Sequence, residues 1–96
     1  MSYNVLLSDD ARDYIQSLDD KSARIIKDNL RKLAEDPYPG GGKGDKEKLT
    51  VDGEEMYRLH IGRTHTAFYV VVDDGTQEVR VVEITDIDDA HKRYGY

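Results

Sequence analysis

The chain has 96 residues, no cysteine and a formal charge of −6. That length allows one domain, residues 1–96, with a core able to stand alone at marginal stability. The missing thiols exclude a disulfide framework, a cysteine nucleophile and a thiolate metal site, and the acidic balance argues against nucleic-acid binding by bulk electrostatics.

Charged residues make up 35% of the chain and apolar ones 38%, which fits a heavily solvated surface around a modest core. No apolar run approaches the ~20 residues that span a bilayer. The N-terminus also lacks the basic-then-apolar pattern of a signal peptide, so a cytoplasmic protein is expected, with no membrane role. The positive charge is uneven. Lys43, Lys46 and Lys48 form one concentration and His91-Lys92-Arg93 another. A polyanion would have to meet such a patch, and the acidic remainder could equally favour a basic protein partner.

In chain order, Tyr3-Asn4-Val5-Leu6-Leu7 is a short apolar run rich in β-formers, and it reads as a strand. Ser8 or Asp9 can cap a helix in which Ala11, Tyr14, Ile15 and Leu18 share a face. Asp19-Asp20 offers a second cap. From Lys21 to about Glu35, Ala23, Ile26, Leu30 and Leu33 keep one stripe, widened by Ile25, while Lys21, Arg24, Lys27, Asp28, Arg31 and Lys32 fall mostly opposite. The short connection predicts an antiparallel helical hairpin. Its charged outer side reads as ordinary solvation. Asp36-Pro37-Tyr38-Pro39-Gly40-Gly41-Gly42 ends the helical region, and Lys43 to Leu49 is expected to begin as irregular chain.

The remainder predicts a three-stranded antiparallel meander: Tyr57–Ile61, Thr66–Val72 and Val79–Ile84, joined by connections at Gly62-Arg63-Thr64 and Asp73-Asp74-Gly75. In the first of these strands Tyr57, Leu59 and Ile61 alternate with Arg58 and His60, giving one oily and one cationic or titratable face. Beyond Ile84, Asp86, Asp88 and Asp89 precede Ala90 to Tyr94, which can form a last helical turn with its charges suited to the helix dipole. The expected class is α+β: an N-terminal strand and a helical hairpin packed on a small, largely antiparallel sheet.

For chemistry, His60, His65 and His91 are too scattered for a metal site, and no cofactor is implied. Ser8 and Ser22 are explained by helix starts. Gly40 to Gly44 lacks the Gly-Lys-Ser/Thr ending of a phosphate loop. What remains is a set of cations and imidazoles. Arg58 and His60 share a face. His65 is expected within lateral reach of it on the next strand, and Lys46 and Lys48 are expected to lead into it from the loop. Arg80 alternates with Val79 and Val81, its face left open by the pattern. Such a cluster could hold a phosphodiester, stabilise charge on a phosphorane and move a proton, which is sufficient for RNA cleavage by its own 2′-hydroxyl without a metal. From the residues alone a plainer reading has the stronger claim, with Arg58 paired to a carboxylate such as Glu83 and His60 a surface histidine.

The order of these pieces resembles the RelE/ParE superfamily of type II toxins, its RelE-like archaeal and bacterial members in particular. The resemblance rests on Val5-Leu6-Leu7 followed by Ala11, Tyr14-Ile15 and Leu18, and on the helix ending Leu33-Ala34-Glu35-Asp36-Pro37. It continues through Tyr57-Arg58-Leu59-His60-Ile61-Gly62, Phe68-Tyr69, and Val79 to Ile84 before a basic-aromatic tail. It covers nearly the whole chain. It implies a toxin of a stress-response module, held inactive by a cognate antitoxin protein. RelE-like members enter the ribosomal A site and cut mRNA; ParE-like members poison gyrase.

Carried over by motif, the resemblance places Arg58 and Tyr94 in catalysis, with His65 a titratable substitute where an arginine is usual. It assigns RNA binding to Lys46 and Lys48 and to Lys92 and Arg93 beside Tyr94, and the strand pattern adds His60 and Arg80. Asp86, Asp88 and Asp89 stand where a basic pair is usual. The leading expectation is a ribosome-dependent mRNA endonuclease working without metal. The alternatives are a non-catalytic inhibitor of gyrase or the ribosome, and a degenerate toxin that only binds antitoxin.

Overall fold

The computed structural model describes residues 3–39, 45–62 and 64–86. Strand β1 (Asn4–Leu7) leads into helix α1 (Asp9–Gln16) and helix α2 (Asp20–Glu35). Strands β2 (Asp45–Val51), β3 (Glu54–Ile61), β4 (His65–Val72) and β5 (Glu78–Asp86) follow. Among the described residues these strands form one sheet in the order β1-β5-β4-β3-β2. β1 runs parallel to β5, and every other neighbouring pair is antiparallel. The architecture is the expected α+β one, with both helices on one side of a mostly antiparallel sheet.

The helix starts follow from side chains. Ser8 sits in extended backbone and its Oγ accepts the Ala11 amide at 3.1 Å. The same hydroxyl donates to the Val82 carbonyl at 2.8 Å, so one residue both caps α1 and fastens it to β5. Asp19 caps α2 by accepting the Ser22 amide at 3.0 Å. Hydrogen bonds from the Ser22 side chain and backbone hold its carboxyl below the usual carboxylate range.

The core lies between the helices and one face of the sheet. Ala11 and Ile15 of α1 and Ile26, Leu30 and Leu33 of α2 pack against Leu59, Ile61, Ala67, Tyr69, Val79, Val81 and Ile84. Each fully buried Leu or Ile removes enough apolar surface from water to contribute roughly 1.5–3 kcal/mol. Ile25 departs from the expected stripe. It lies 42% exposed, one helical step (about 100°) from the buried Ile26.

Lys43 to Leu49, expected to begin as irregular chain, is strand from Asp45 onward, and Lys43 and Gly44 lie outside the described residues. β2 pairs with β3 from Asp45↔His60 to Val51↔Glu54, so the meander has four strands among the described residues. The two are joined by Asp52-Gly53, both with positive φ (52° and 81°). This is the Asp-Gly hairpin signature, in which the left-handed backbone matches the twist of the flanking strands. The last helical turn expected at Ala90 to Tyr94 lies outside the described residues.

Candidate functional site

Register decides which side chains meet on the sheet face away from the helices. β3 places Leu59 and Ile61 in the core, so Arg58 and His60 take the other side, as the alternation predicts. Two cross-strand rows result. One runs Glu47, Arg58, Phe68, Glu83 across β2 to β5; the other runs His60, Thr66, Thr85 across β3 to β5. An irregularity between Phe68 and Tyr69 sets Phe68 opposite Glu83 but Tyr69 opposite Val81, leaving Val82 as the extra residue of a bulge. The bulge is why Val81 and Ile84, three positions apart, both enter the core, and why Arg80 and Glu83 both face away. Arg80, left open by the sequence pattern, therefore shares the face of Arg58.

This face is polar at its rim but not open throughout. Phe68 is fully buried although it does not belong to the helix-side cluster, and Thr66 and Thr85 are buried beside it. Thr66 Oγ1 donates to the Leu59 carbonyl at 3.3 Å. Arg58 is held with only 11% of its side chain exposed, its guanidinium Nη2 on the Glu47 carboxylate directly opposite in the register. Arg80 Nε and Nη2 reach one oxygen of Glu78, at 3.1 and 2.9 Å. The carboxylate that pairs Arg58 is Glu47, on the neighbouring strand, rather than Glu83.

Three expectations about placement are corrected. Lys46 and Lys48 alternate with Glu47 and stand opposite Leu59 and Tyr57, so both leave the sheet on the helix side, away from Arg58. The Lys46 side chain is only 3% exposed; its Nζ donates to the Asp36 carbonyl at 2.7 Å, with the Asp36 carboxylate at 3.7 Å. Asp36 is the C-cap of α2, so this ammonium satisfies a helix-end carbonyl where the dipole is negative. Lys48 pairs with Glu55 at 2.9 Å, and that hydrogen bond raises its pKa. His65 stands opposite Ile61 and Asp86 on the helix side rather than beside His60. Its Nδ1 lies 2.8 Å from the Tyr14 hydroxyl of α1, with the rings edge to face. Tyr94, Lys92 and Arg93 lie outside the described residues.

On the helix side, sequence reasoning also missed a run of tyrosines. Tyr69 stacks on Tyr57 at 5.5 Å, Tyr57 meets Tyr38 edge-on at 5.9 Å, and Tyr38 meets Tyr3 at 6.4 Å. The Tyr3 and Tyr38 hydroxyls both donate to Asp73, at 3.0 and 3.2 Å. The Tyr69 hydroxyl donates to the Pro37 carbonyl at 2.7 Å, and burial raises its pKa. The signal available in sequence was Tyr57 and Tyr69 at core-facing strand positions. Their hydroxyl partners lie tens of residues away and no local pattern gives them.

Chemically, the sheet face offers a guanidinium and an imidazole two residues apart on one strand, about 7 Å between attachment points. Among the described residues no group of three or more histidine and carboxylate side chains converges in the manner of a metal site.

No protein-family model matches the chain, and no curated protein matches it in sequence. Solved structures do. The archaeal RelE–RelB complex of Pyrococcus horikoshii aligns with a TM-score of 0.72 at 23% identity, over 90% of this chain and 96% of that one. The RelBE2 toxin–antitoxin complex of Mycobacterium tuberculosis aligns with a TM-score of 0.73 at 16% identity, over 90% and 99%. The YoeB/ParE toxin of Agrobacterium tumefaciens aligns at 0.69 and 23%, over 86% and 96%. At these identities the likeness is one of fold, and the fold is that of the RelE-like toxins.

Proposed function

We propose that this chain is the toxin of a type II toxin–antitoxin pair and that its sheet face cleaves mRNA at the ribosomal A site without a metal. The observation that carries this reading is the Arg58–His60 pair, set on β3 on the face that the helices leave uncovered in a RelE-like fold. Solved structures of the same fold are complexes with antitoxins, which supports an antitoxin as the partner here. No helix among the described residues is long and apolar enough to cross a membrane, consistent with action on cytoplasmic ribosomes.

In the proposed reaction the 2′-oxygen attacks the adjacent phosphorus, the O2′–P bond forms and the P–O5′ bond breaks. The products are a 2′,3′-cyclic phosphate and a free 5′-hydroxyl. Arg58 exchanges Glu47 for the phosphate and holds the charge that builds on its oxygens. His60 takes the 2′-proton, and the leaving 5′-oxygen takes a proton from Tyr94, the role the family resemblance gives the C-terminal tyrosine; Lys92 and Arg93 are assigned RNA contacts on the same ground. Arg80 tracks the backbone from β5. His65, bonded to Tyr14, positions the β4 end of the sheet. Lys46 and Lys48 serve the fold and its edge in this reading.

A second reading is favoured by one observation: Lys46, Lys48, Arg58 and Arg80 each lie within 4 Å of a carboxylate. Cations neutralised in this way, on both sides of the sheet, suit a protein that inhibits gyrase or the ribosome by binding alone, or that only engages antitoxin. A cell-free translation reaction separates the two. Ribosome-dependent mRNA cleavage that Arg58→Ala reduces by at least about a hundredfold supports the nuclease, on the scale set by losing a charge-stabilising donor. Arrested translation or lost DNA supercoiling with intact mRNA supports the binding-only reading.

A further inference from the structure

The sheet face away from the helices changes character two residues along β3 from Arg58. Met56 shares that side with Arg58 and His60, and it stands opposite Leu49 of β2. Continuing the β3–β4 register one residue past Tyr57↔Tyr69 sets Met56 beside Val70, which in turn stands opposite Arg80. Leu49, Met56 and Val70 thus form a cross-strand row next to the row that contains Arg58. None of the three belongs to the helix-side cluster, whereas Tyr57 and Val71 beside them pack against it. All three are half-buried. Laid across three strands, they make an apolar shelf about 10 Å wide whose centre lies about 7 Å along β3 from Arg58.

The charges around the shelf narrow what it can take. Arg80 closes it on β5, with Nε and Nη2 on one oxygen of Glu78. Glu54, opposite Val51, is exposed on its other side. On this face the carboxylates of Glu47, Glu54, Glu78 and Glu83 outnumber the guanidinium groups of Arg58 and Arg80. Such a surface repels a run of phosphates. It does not repel a nucleobase, which is flat and neutral and stacks on apolar and thioether side chains. The order along β3 then fixes the polarity. Met56, Arg58 and His60 follow one another at about 7 Å. With the scissile phosphate on Arg58 and the attacking 2′-hydroxyl at His60, the nucleotide on the 3′ side falls on Met56.

We propose that Leu49, Met56 and Val70 seat the base of the nucleotide on the 3′ side of the cleaved bond. The proposal rests on the nuclease reading and deepens it, because it gives the sheet face a contact to a base beside its contact to a phosphate. Met56 is the centre of the seat, and its unbranched thioether adapts to the plane of a ring. These side chains hold and align the substrate and take no part in proton transfer.

The test is a methyl NMR titration of the isotope-labelled full chain with the dinucleoside phosphate ApA and, separately, with inorganic phosphate. ApA should move the methyl signals of Met56, Leu49 and Val70 upfield, as a ring stacked on them does, together with the guanidinium signal of Arg58. Phosphate should move Arg58 alone. Met56→Glu should weaken ApA binding about fivefold, the scale of one lost sulfur–ring contact. Met56→Leu, which conserves volume, should restore it. Each variant's own spectrum reports that it is folded. In the cell-free reaction the same pair should raise and then recover KM for ribosome-bound mRNA. Arg58 shifts without shelf shifts overturn the base seat and leave the nuclease reading standing. No shift at either place up to millimolar ApA also overturns the seat, and intact mRNA on ribosomes would take the nuclease reading with it. Shelf shifts that follow protein concentration alone overturn it too, since they assign the shelf to a second copy.

Discussion

The two faces of the sheet are built by the same strands and obey opposite rules. On the helix side, side chains are held by burial among Ile26, Leu30 and Leu33, and even polar groups there are consumed by structure: Lys46 by the end of α2, Tyr69 by Pro37, His65 by Tyr14. On the other side, Arg58 meets the Glu47 carboxylate of the next strand and Arg80 the Glu78 carboxylate of its own. A charge fixed by packing cannot be lent to a ligand without loosening the fold. Glu47, 55% exposed, can be hydrated when a phosphate takes its place on Arg58. The comparison therefore makes the face of Arg58, and not the lysines of β2, the surface on which chemistry is to be sought.

The largest expected effect lies on the helix side. Leu59→Ala empties a position 1% exposed between the helices and β4, and should cost about 2–5 kcal/mol in a denaturant titration. Its sequence neighbour Arg58→Ala, one residue away and on the other face, should cost less, about 1–3 kcal/mol, because its side chain is only 11% exposed but its partner Glu47 can be hydrated. Equal losses from the two substitutions would show that the faces are not energetically distinct. A stable, folded Arg58→Ala that still cleaves mRNA at full rate would remove Arg58 from the proposed mechanism.

Lys46→Ala sharpens the same contrast at intermediate size. It leaves the α2 C-cap carbonyl without its donor in a part-buried site, which should cost about 1–3 kcal/mol. Cleavage measured well below the melting temperature should be unchanged. If the variant is as stable as the parent and loses cleavage instead, Lys46 acts on RNA and the assignment by register is wrong.

Much of this was legible in the chain beforehand, because it depends on local periodicity. The alternation of Tyr57, Leu59 and Ile61 with Arg58 and His60 fixed the two faces of β3, and Ser8 or Asp9 and Asp19-Asp20 announced the starts of both helices. The Asp52-Gly53 pair was an equally good hairpin signal, and reading it would have revealed β2. That strand's own Lys-Glu-Lys alternation would then have separated Lys46 and Lys48 from Arg58. The position of His65 was not legible, since it depends on how tightly Gly62 to Thr64 turns the chain, and a one-residue change in that register exchanges the faces. Nor was the Arg58–Glu47 pair, which exists only once β2 is known to lie beside β3.

The smallest expected effects belong to Tyr69, which tests how far packing on the helix side extends to hydroxyls. Tyr69→Phe deletes the hydrogen bond to Pro37 and little volume, for a cost of about 1 kcal/mol. The same hydroxyl gives the fold a pH dependence of known sign. In the unfolded chain it ionises near 10.0, and in the folded chain burial chiefly, then the nearby Tyr57 and Asp36, hold its pKa above that value. Below about pH 10 both states keep the proton and the stabilisation is complete. Above it the unfolded state loses the proton first, so stability falls by up to about 1.4 kcal/mol per pH unit for this one group until the folded form ionises as well. Tyr38 is shifted in the same direction by Tyr3, burial and Asp73, but it is more than a third exposed and water screens its share. Denaturant titrations at pH 8 and pH 11 should therefore show an alkaline loss that Tyr69→Phe largely removes. The full loss in that variant would trace the alkaline sensitivity to other groups and leave Tyr69 a packing residue only.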